Sequence, residues 1–130
     1  MRVFLDTNVF IAAVADEATH GASAVEILDS EHELVNSLLN VMELRAVLTK
    51  KHAVEAKRAR EIEDEVRSGI EVVVPDSEDV LDANELQQET LLYPMDCLIL
   101  ACAEGCGATL VSFDNELVEN RAIEPADVVS

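Results

Sequence analysis

Short apolar runs alternate with longer amphipathic segments along the chain, and the two patterns predict different elements. The short runs predict strands at residues 3–5, 33–37, 70–74 and 108–113, with a weaker last strand near 122–124 or 128–129. Helical spacing predicts helices at 9–14, 22–30, 38–51, 53–68, 77–89 and 94–105, and a short helix from 116. Strands that alternate with helices are typical of βαβ units, so we expect one α/β domain over residues 1–130, built on a parallel sheet.

The first strand ends in a carboxylate. Asp6 follows an apolar run, and Thr7 or Asn8 can cap the helix that begins directly after it. This order puts Asp6 at the carboxyl edge of the sheet, where open α/β folds bind their ligands. Asp is also a common turn residue, so a purely structural role is the alternative.

A glutamate interrupts the apolar part of the helix predicted at 38–51. Glu43 has Leu39 and Val47 one turn away on either side, and this predicts a carboxylate that is not on a solvated face. A buried carboxylate needs a cation, a hydrogen-bond network or a proton. The structural alternative is a salt bridge to Lys50, two turns further along the helix.

Two more acids stand at element ends. Asp96 is the third residue of an otherwise apolar helix, where free amide groups favour an anion, and Asp114 follows the strand at 108–113. Asp6 and Asp114 then share one sheet edge, and the nearby helix starts can bring Glu43 and Asp96 to it. Four acids in one cleft repel one another unless divalent cations bind between them. Such oxygen-rich sites suit Mg²⁺ or Mn²⁺ and the attack of a metal-activated water on a phosphodiester.

The net charge of −18, from 27 acids and 9 bases, changes this interpretation in two ways. It argues against nucleic-acid binding in ordinary salt, and it resembles the composition of proteins from salt-accumulating halophiles. At about 1 M salt the Debye length is roughly 3 Å, so the acidity does not exclude RNA as a ligand.

Most of the bases fall in one segment, which is the candidate contact for RNA or for a protein partner. Acids are interleaved with them, so a helix stabilised by internal ion pairs is the alternative. The candidate contacts are Arg45, Lys50, Lys51, Lys57, Arg58 and Arg60.

Cysteine usage and hydropathy point to a cytoplasmic protein. Cys97, Cys102 and Cys106 lie close together in an apolar segment and are interpreted as small buried thiols, because no second Cys or His pair completes a zinc site. No stretch approaches the roughly 18 apolar residues of a membrane span. The three histidines are scattered, and no chemistry is assigned to them.

Four stretches together carry a family resemblance. Leu5-Asp6-Thr7-Asn8-Val9, Met42-Glu43-Leu44, the segment 94–103 around Asp96, and Val111-Ser112-Phe113-Asp114 resemble the four acidic motifs of the PIN domain in order and spacing. The size is similar to that of VapC-type toxins of type II toxin–antitoxin pairs. The resemblance implies a metal-dependent endoribonuclease with five parallel strands in the order 3-2-1-4-5, a cognate antitoxin and a homodimer.

The same resemblance implies roles for individual residues. Asp6 and Asp96 would be the principal ligands of Mg²⁺ or Mn²⁺, and Glu43 and Asp114 would complete the metal shell and the catalytic set. Thr7 or Asn8 and Ser112 would give polar support. Many relatives carry a lysine after the last aspartate, and this chain has Asn115 there.

Other classes fit less well. A phosphatase of the haloacid-dehalogenase type needs a second aspartate at the position of Asn8, and a dinucleotide-binding domain needs a glycine-rich turn after the first strand. An RNA-processing nuclease and a non-catalytic PIN-like binding module remain as alternatives.

Overall fold

Four parallel strands form the centre of the molecule. The structure is a computed structural model that describes residues 1–128. The strands are β1 (Arg2–Leu5), β2 (Glu33–Ser37), β3 (Glu71–Val73) and β4 (Thr109–Val111), in the order β3-β2-β1-β4. The strand order reverses between β1 and β4, so the carboxyl ends of these two strands flank a crevice where α/β proteins bind ligands.

Helices connect the strands and cover both faces of the sheet. They are α1 (Thr7–Val14), α2 (Gly21–Leu28), α3 (Leu38–Lys50), α4 (Ala56–Ser68), α5 (Ser77–Thr90), α6 (Pro94–Gly105), α7 (Asn115–Val118) and α8 (Pro125–Val128). None of them is long and apolar enough to cross a membrane within the part of the chain described. The predicted alternation of strands and helices is therefore confirmed.

Side chains of β1 alternate between two hydrophobic clusters. Phe4 points into a cluster with α5 and α6, while Val3 and Leu5 point into a second cluster with α1, α3 and α4. All three side chains are completely buried. This alternation with period two makes β1 the central strand of a three-layer structure and fixes its register. Asp6, the next residue, is therefore held at a defined position on the sheet edge.

The prediction of a fifth strand is wrong for the described residues, which form a four-stranded sheet. Ile123 forms a single parallel bridge beside Val111, in the place where the fifth strand was predicted. Pro125 begins α8 two residues later, and because proline lacks an amide N–H it favours a helix start over further pairing. The alternative location at 128–129 lies partly in α8 and partly outside the described residues.

A buried acid joins α3 to α4. Glu63 is only 5% exposed and accepts two hydrogen bonds from Arg45, at 2.9 Å and 2.7 Å, while Arg67 lies 3.8 Å from the same carboxylate. The hydrogen bonds from Arg45 lower the pKa of Glu63 against the opposing effect of burial. This pair fixes the packing of the helix that carries Glu43.

Replacing Arg45 by glutamine should therefore destabilise the fold. We expect Arg45→Gln to lower the free energy of unfolding by about 2 kcal/mol, since a buried carboxylate loses charged hydrogen bonds. Denaturant unfolding at neutral pH measures the loss, with Arg60→Gln on the exposed face of α4 as the matched control. Equal stability of the two variants would show that the pair does not hold α3 against α4.

Candidate active site at the carboxyl edge of the sheet

Asp6 lies at the end of the central strand and is 7% exposed. Its amide donates to the carbonyl of Val111 at 3.0 Å, so the ladder between β1 and β4 extends one residue beyond the strand. The two carboxylate oxygens accept from Ser112 Oγ at 2.8 Å and from the backbone N–H of Thr7 at 2.9 Å. Asp6 is also the N-cap of α1, the position for which Thr7 or Asn8 was proposed.

Ser112 is the polar centre of the site. Its completely buried hydroxyl donates to Asp6 and accepts from Asn8 Nδ2 and from the backbone N–H of Asp114, both at 3.0 Å. The strand was expected to end at Asp114, but β4 ends at Val111, and Ser112 takes the position opposite Asp6. Asp114 lies two residues further on and caps α7.

A second buried network ties α1 to α3. Asn40 is fully buried, and its side-chain amide donates to Thr7 Oγ1 at 3.1 Å. Ser37 Oγ donates to Asn40 Oδ1 at 2.7 Å, and it also caps α3 by accepting from the Asn40 backbone N–H at 3.2 Å. The start of α3, one turn before Glu43, is thereby held beside the start of α1.

Burial raises the pKa of Asp6 from 3.8 to about 6, against the hydrogen bonds from Ser112 and Thr7, which lower it. Repulsion from Glu43 and Asp96 raises this pKa further. The acids predicted from three separate parts of the chain therefore lie close enough to influence one another. An elevated carboxylate pKa in a polar crevice is typical of functional sites.

Asp96 and Asp114 complete this acidic group. Asp96 is half-buried in the first turn of α6, and its pKa is raised by burial first and then by Asp114, Glu43 and Glu116. Glu116 is exposed in α7 and was not among the predicted site residues. Glu116 comes two residues after the predicted acid Asp114. Because the chain has 27 acids, no sequence signal distinguishes Glu116 from the others.

The prediction that Glu43 avoids the solvated face is wrong. Glu43 is exposed. The face of α3 that packs against the core carries Asn40, Val41, Leu44 and Leu48, and Glu43 lies at the edge of that face. The alternative salt bridge to Lys50 is not formed either among the described residues. What links Glu43 to the site is its repulsion of Asp6 and Asp96.

The donor chemistry of this edge fits a divalent cation. Carboxylate oxygens are the ligands that Mg²⁺ and Mn²⁺ prefer, and each oxygen of Asp6 accepts only one hydrogen bond, which leaves coordinating capacity. Within residues 1–128, no three His, Cys, Asp or Glu side chains approach closely enough to form a complete ligand set. Asp6, Asp96, Glu43 and Asp114 are the residues that would hold the ion.

A groove of about 390 Å³ runs beside Asp6 along α1 and α3. Its lining combines polar and acidic residues with apolar side chains, one lysine and one histidine. They are Thr7, Asn8, Ile11, Glu17, Glu43, Val47, Lys51 and His52. A polymer bound in this groove would contact both carboxylates and the ammonium group of Lys51.

The predicted basic contacts divide into two sets. Arg45 and Arg58 form ion pairs with glutamates of α4, as the alternative interpretation expected. The other four are exposed, and among the described residues they have no ion pair: Lys50, Lys51, Lys57 and Arg60.

A stack of two aromatic rings, one of them in the residue before Asp114, was not predicted from the sequence. The rings of His20 and Phe113 lie with centroids 4.1 Å apart and an interplanar angle of 23°. Phe113 belongs to the last acidic motif, but His20 comes from the connection between α1 and α2, and no periodic pattern marks it.

Solved structures of other proteins share this fold. Similar structures include a toxin–antitoxin complex from Klebsiella pneumoniae, 21% identical over 95% of this chain and 97% of that chain, with a TM-score of 0.75. VapC20 from Mycobacterium tuberculosis, described as a sarcin–ricin loop cleaving toxin, is 17% identical over 94% of this chain and 97% of its own, with a TM-score of 0.77. VapBC2 from Rickettsia felis, bound to a DNA fragment from its promoter, is 20% identical over 95% and 97%, with a TM-score of 0.73.

These identities are low and concern the fold. A comparison with curated protein sequences finds no significant match. The sequence model of the PIN domain, in contrast, matches residues 3–122, which include all four acidic stretches. By this match over most of its length, the chain belongs to the PIN domain family.

Proposed function

We propose that this chain is an endoribonuclease that uses Mg²⁺ or Mn²⁺ to hydrolyse RNA phosphodiester bonds. The observation that carries the proposal is the buried Asp6 carboxylate at the point where the strand order reverses. Its burial raises its pKa to about 6, and repulsion from Glu43 and Asp96 adds to this effect. A charge in such a place is unfavourable for the protein alone and is stabilised when a cation binds. When bound, the metal supplies an activated water and stabilises the charge that develops on the phosphate.

The residues around the ion have different tasks in this proposal. Asp6 is the fixed ligand, because Ser112 and Thr7 orient both of its oxygens. Asp96, in the first turn of α6, is the second principal ligand, and Glu43 and Asp114 complete the metal shell. Ser112 and Asn8 hold Asp114 and the following helix in register with Asp6.

A toxin of a toxin–antitoxin pair is the biological role we favour. The description of VapC20 as a toxin that cleaves the sarcin–ricin loop supports RNA as the substrate class, and the Klebsiella pneumoniae complex supports an antitoxin partner. An antitoxin segment would lay apolar side chains against Ile11 and Val47 in the groove. It could offer an Arg or Lys to the acidic group in place of the metal.

The alternatives are an RNA-processing nuclease and a non-catalytic binding module. A small antitoxin-like reading frame next to the gene would favour the toxin over the processing nuclease. The presence of all four acids favours catalysis over binding alone.

We place the protein in the cytoplasm, because three free cysteines suit a reducing compartment. Because the net charge is −18, activity should be assayed in concentrated KCl.

The charge of Asp6 should cost stability when no metal is present. The folded-state pKa of about 6 lies above the unfolded value of 3.8, so the fold favours the neutral carboxyl group. The stability that the neutral group contributes is fully present below pH 3.8 and is lost as the pH rises through 6. The loss amounts to about 3 kcal/mol at neutral pH. Asp6→Asn carries no such charge. Its amide keeps only one of the two acceptor oxygens, which costs about 1 kcal/mol, so in chelator it should still unfold at a higher denaturant concentration than the wild type at pH 7.5.

Two controls make this result specific. The advantage of Asp6→Asn should vanish near pH 4 and shrink in Mn²⁺, which stabilises only the protein that binds it. Asp82→Asn, which removes an exposed carboxylate of α5, should not reproduce it. If Asp6→Asn is no more stable than the wild type at pH 7.5 in chelator, the charge of Asp6 does not destabilise the metal-free protein.

Cleavage itself gives the direct test. In concentrated KCl, the wild type should cleave single-stranded and structured RNA with Mg²⁺ or Mn²⁺ and stop on chelation. Asp96→Asn should lower kcat by at least about 100-fold while the domain remains folded, because it removes a proposed ligand of the ion that activates the water. RNA gel electrophoresis and circular dichroism measure the two properties, with Asp82→Asn as the control. Unchanged cleavage by Asp96→Asn would show that the assigned site is wrong.

We also propose that two copies of the chain associate through α5 and the connection to α6. Large apolar side chains are exposed there, and exposed apolar surface on a highly charged protein marks an interaction site. They are Val80, Leu81, Leu91, Tyr93 and Met95, between 47% and 79% exposed.

Leu81→Glu should shift a dimer to monomers, because it places a charge in the proposed contact. Equilibrium sedimentation in concentrated KCl measures the mass, and Thr49→Glu on α3 is the control. A dimer that survives Leu81→Glu would exclude this face.

A further inference from the structure

The stack of His20 and Phe113 is the feature from which a further site can be inferred. Of the three phenylalanines, all in the described residues, Phe4 and Phe10 are fully buried and only Phe113 is partly exposed. One part of the Phe113 side chain packs against the core cluster of α1, α3 and α4. His20 covers it as a nearly parallel ring, and His20 itself is exposed. The imidazole therefore presents an aromatic surface to solvent.

The backbone of Phe113 is fixed by the site. Its N–H donates to Asn8 Oδ1 at 3.2 Å, and Asn8 Nδ2 donates to Ser112 Oγ, the group that also binds Asp6. The ring follows directly from this anchored segment and precedes Asp114. The backbone from which the Phe113 ring projects is therefore fixed directly beside Asp114.

His20 is held from the other side by a tight connection between α1 and α2. Gly21 donates to the carbonyl of Glu17 at 2.7 Å, and Glu17 donates to that of Ala12 at 3.1 Å. A Cβ atom at Gly21 would lie 3.2 Å from the carbonyl carbon of Asp16, so a larger residue would push the connection away. Glycine at this position lets the chain approach closely and sets His20 over Phe113.

The chemistry of this surface suits a nucleobase. Every base offers a flat π-face, and stacking on aromatic side chains is how single-stranded nucleic acid is bound without sequence readout. Stacking also does not depend on positive charge, which this chain of net charge −18 has little of. An affinity that persists in concentrated salt requires contacts of this kind, because phosphate contacts weaken as salt rises.

We infer that His20 and Phe113 form a stacking platform for an unpaired base of the RNA strand, next to the phosphate that is cut. The inference rests on the proposed nuclease function and narrows its substrate to single-stranded or looped RNA. The platform binds substrate and takes no part in the chemical step. Its loss should therefore appear in KM more than in kcat.

Steady-state cleavage of a short single-stranded RNA tests this directly. Phe113→Leu, which keeps an apolar side chain against the core, and His20→Ala should each raise KM about tenfold, the size expected for loss of one base–aromatic stack. The kcat should stay within about twofold of the wild type. Phe113→Tyr keeps the ring and should restore KM, and thermal unfolding verifies that each variant is folded.

Salt separates stacking from charge. From about 0.2 M to about 2 M KCl, the KM ratio between Phe113→Leu and the wild type should persist, because stacking is not screened. Lys51→Ala removes an exposed charge in the groove, and any KM increase that it causes should disappear over the same range. A Phe113→Leu effect that disappears with salt would contradict stacking.

Fluorescence gives a readout without cleavage. The chain has no tryptophan, so Phe113→Trp in an Asp96→Asn background reports only on the platform. Single-stranded RNA should quench this tryptophan, and fully paired RNA should quench it much less. Ser68→Trp, at the end of α4 near the amino edge of the sheet, should not respond.

The outcomes distinguish the two proposals. Absence of metal-dependent cleavage by the wild type would overturn the nuclease function and the platform that rests on it. Normal cleavage with unchanged KM in both Phe113→Leu and His20→Ala would overturn the platform alone. In that case RNA would also fail to quench the tryptophan of the Phe113→Trp variant.

Discussion

The hydrogen bond from Ser112 to Asp6 is the interaction on which the candidate site depends. It joins the ends of two adjacent strands, and it orients a carboxylate that burial would otherwise leave poorly satisfied. The serine oxygen also accepts from Asn8 and from the Asp114 backbone, so it uses its donor and both acceptor positions. One hydroxyl group thus sets the relative positions of two of the four acids.

Three of the acids stand at helix starts, and this helps to explain how the fold tolerates them together. Asp6 caps α1, Asp114 caps α7, and Asp96 lies in the first turn of α6. Amide groups and the positive end of a helix dipole stabilise an anion at such places by about 0.3–1 kcal/mol each. This compensation is smaller than the cost of a buried charge, so burial first, and then repulsion from the neighbouring acids, raises the pKa values of Asp6 and Asp96.

Much of this arrangement could be predicted from the sequence because it follows from local patterns. The alternation of short apolar runs with amphipathic segments predicted the parallel sheet. The position of Asp96 after Tyr93-Pro94 predicted that it lies in the first turn of α6. Glu43 was misjudged because its one-turn neighbours are apolar, although they lie at the edge of the packed face and not within it. The prediction of a fifth strand was wrong because only Ile123 pairs with β4, and Pro125 then begins a helix and ends the pairing. Asn40 and His20 could not be predicted, because their contacts join residues distant in sequence through the tertiary fold.

The buried network of Ser37, Asn40 and Thr7 determines which of the acids are positioned together. It ties α3, and with it the backbone of Glu43, to the start of α1, while Ser112 ties Asp114 to Asp6. Three acids are therefore mounted on one hydrogen-bonded frame. Asp96 belongs to α6, which rests on the opposite face of the sheet through its apolar packing with α5. The position of Asp96 relative to the other three acids therefore depends on how this apolar core packs, and a core substitution under α6 would displace Asp96 without disturbing the hydrogen-bonded frame.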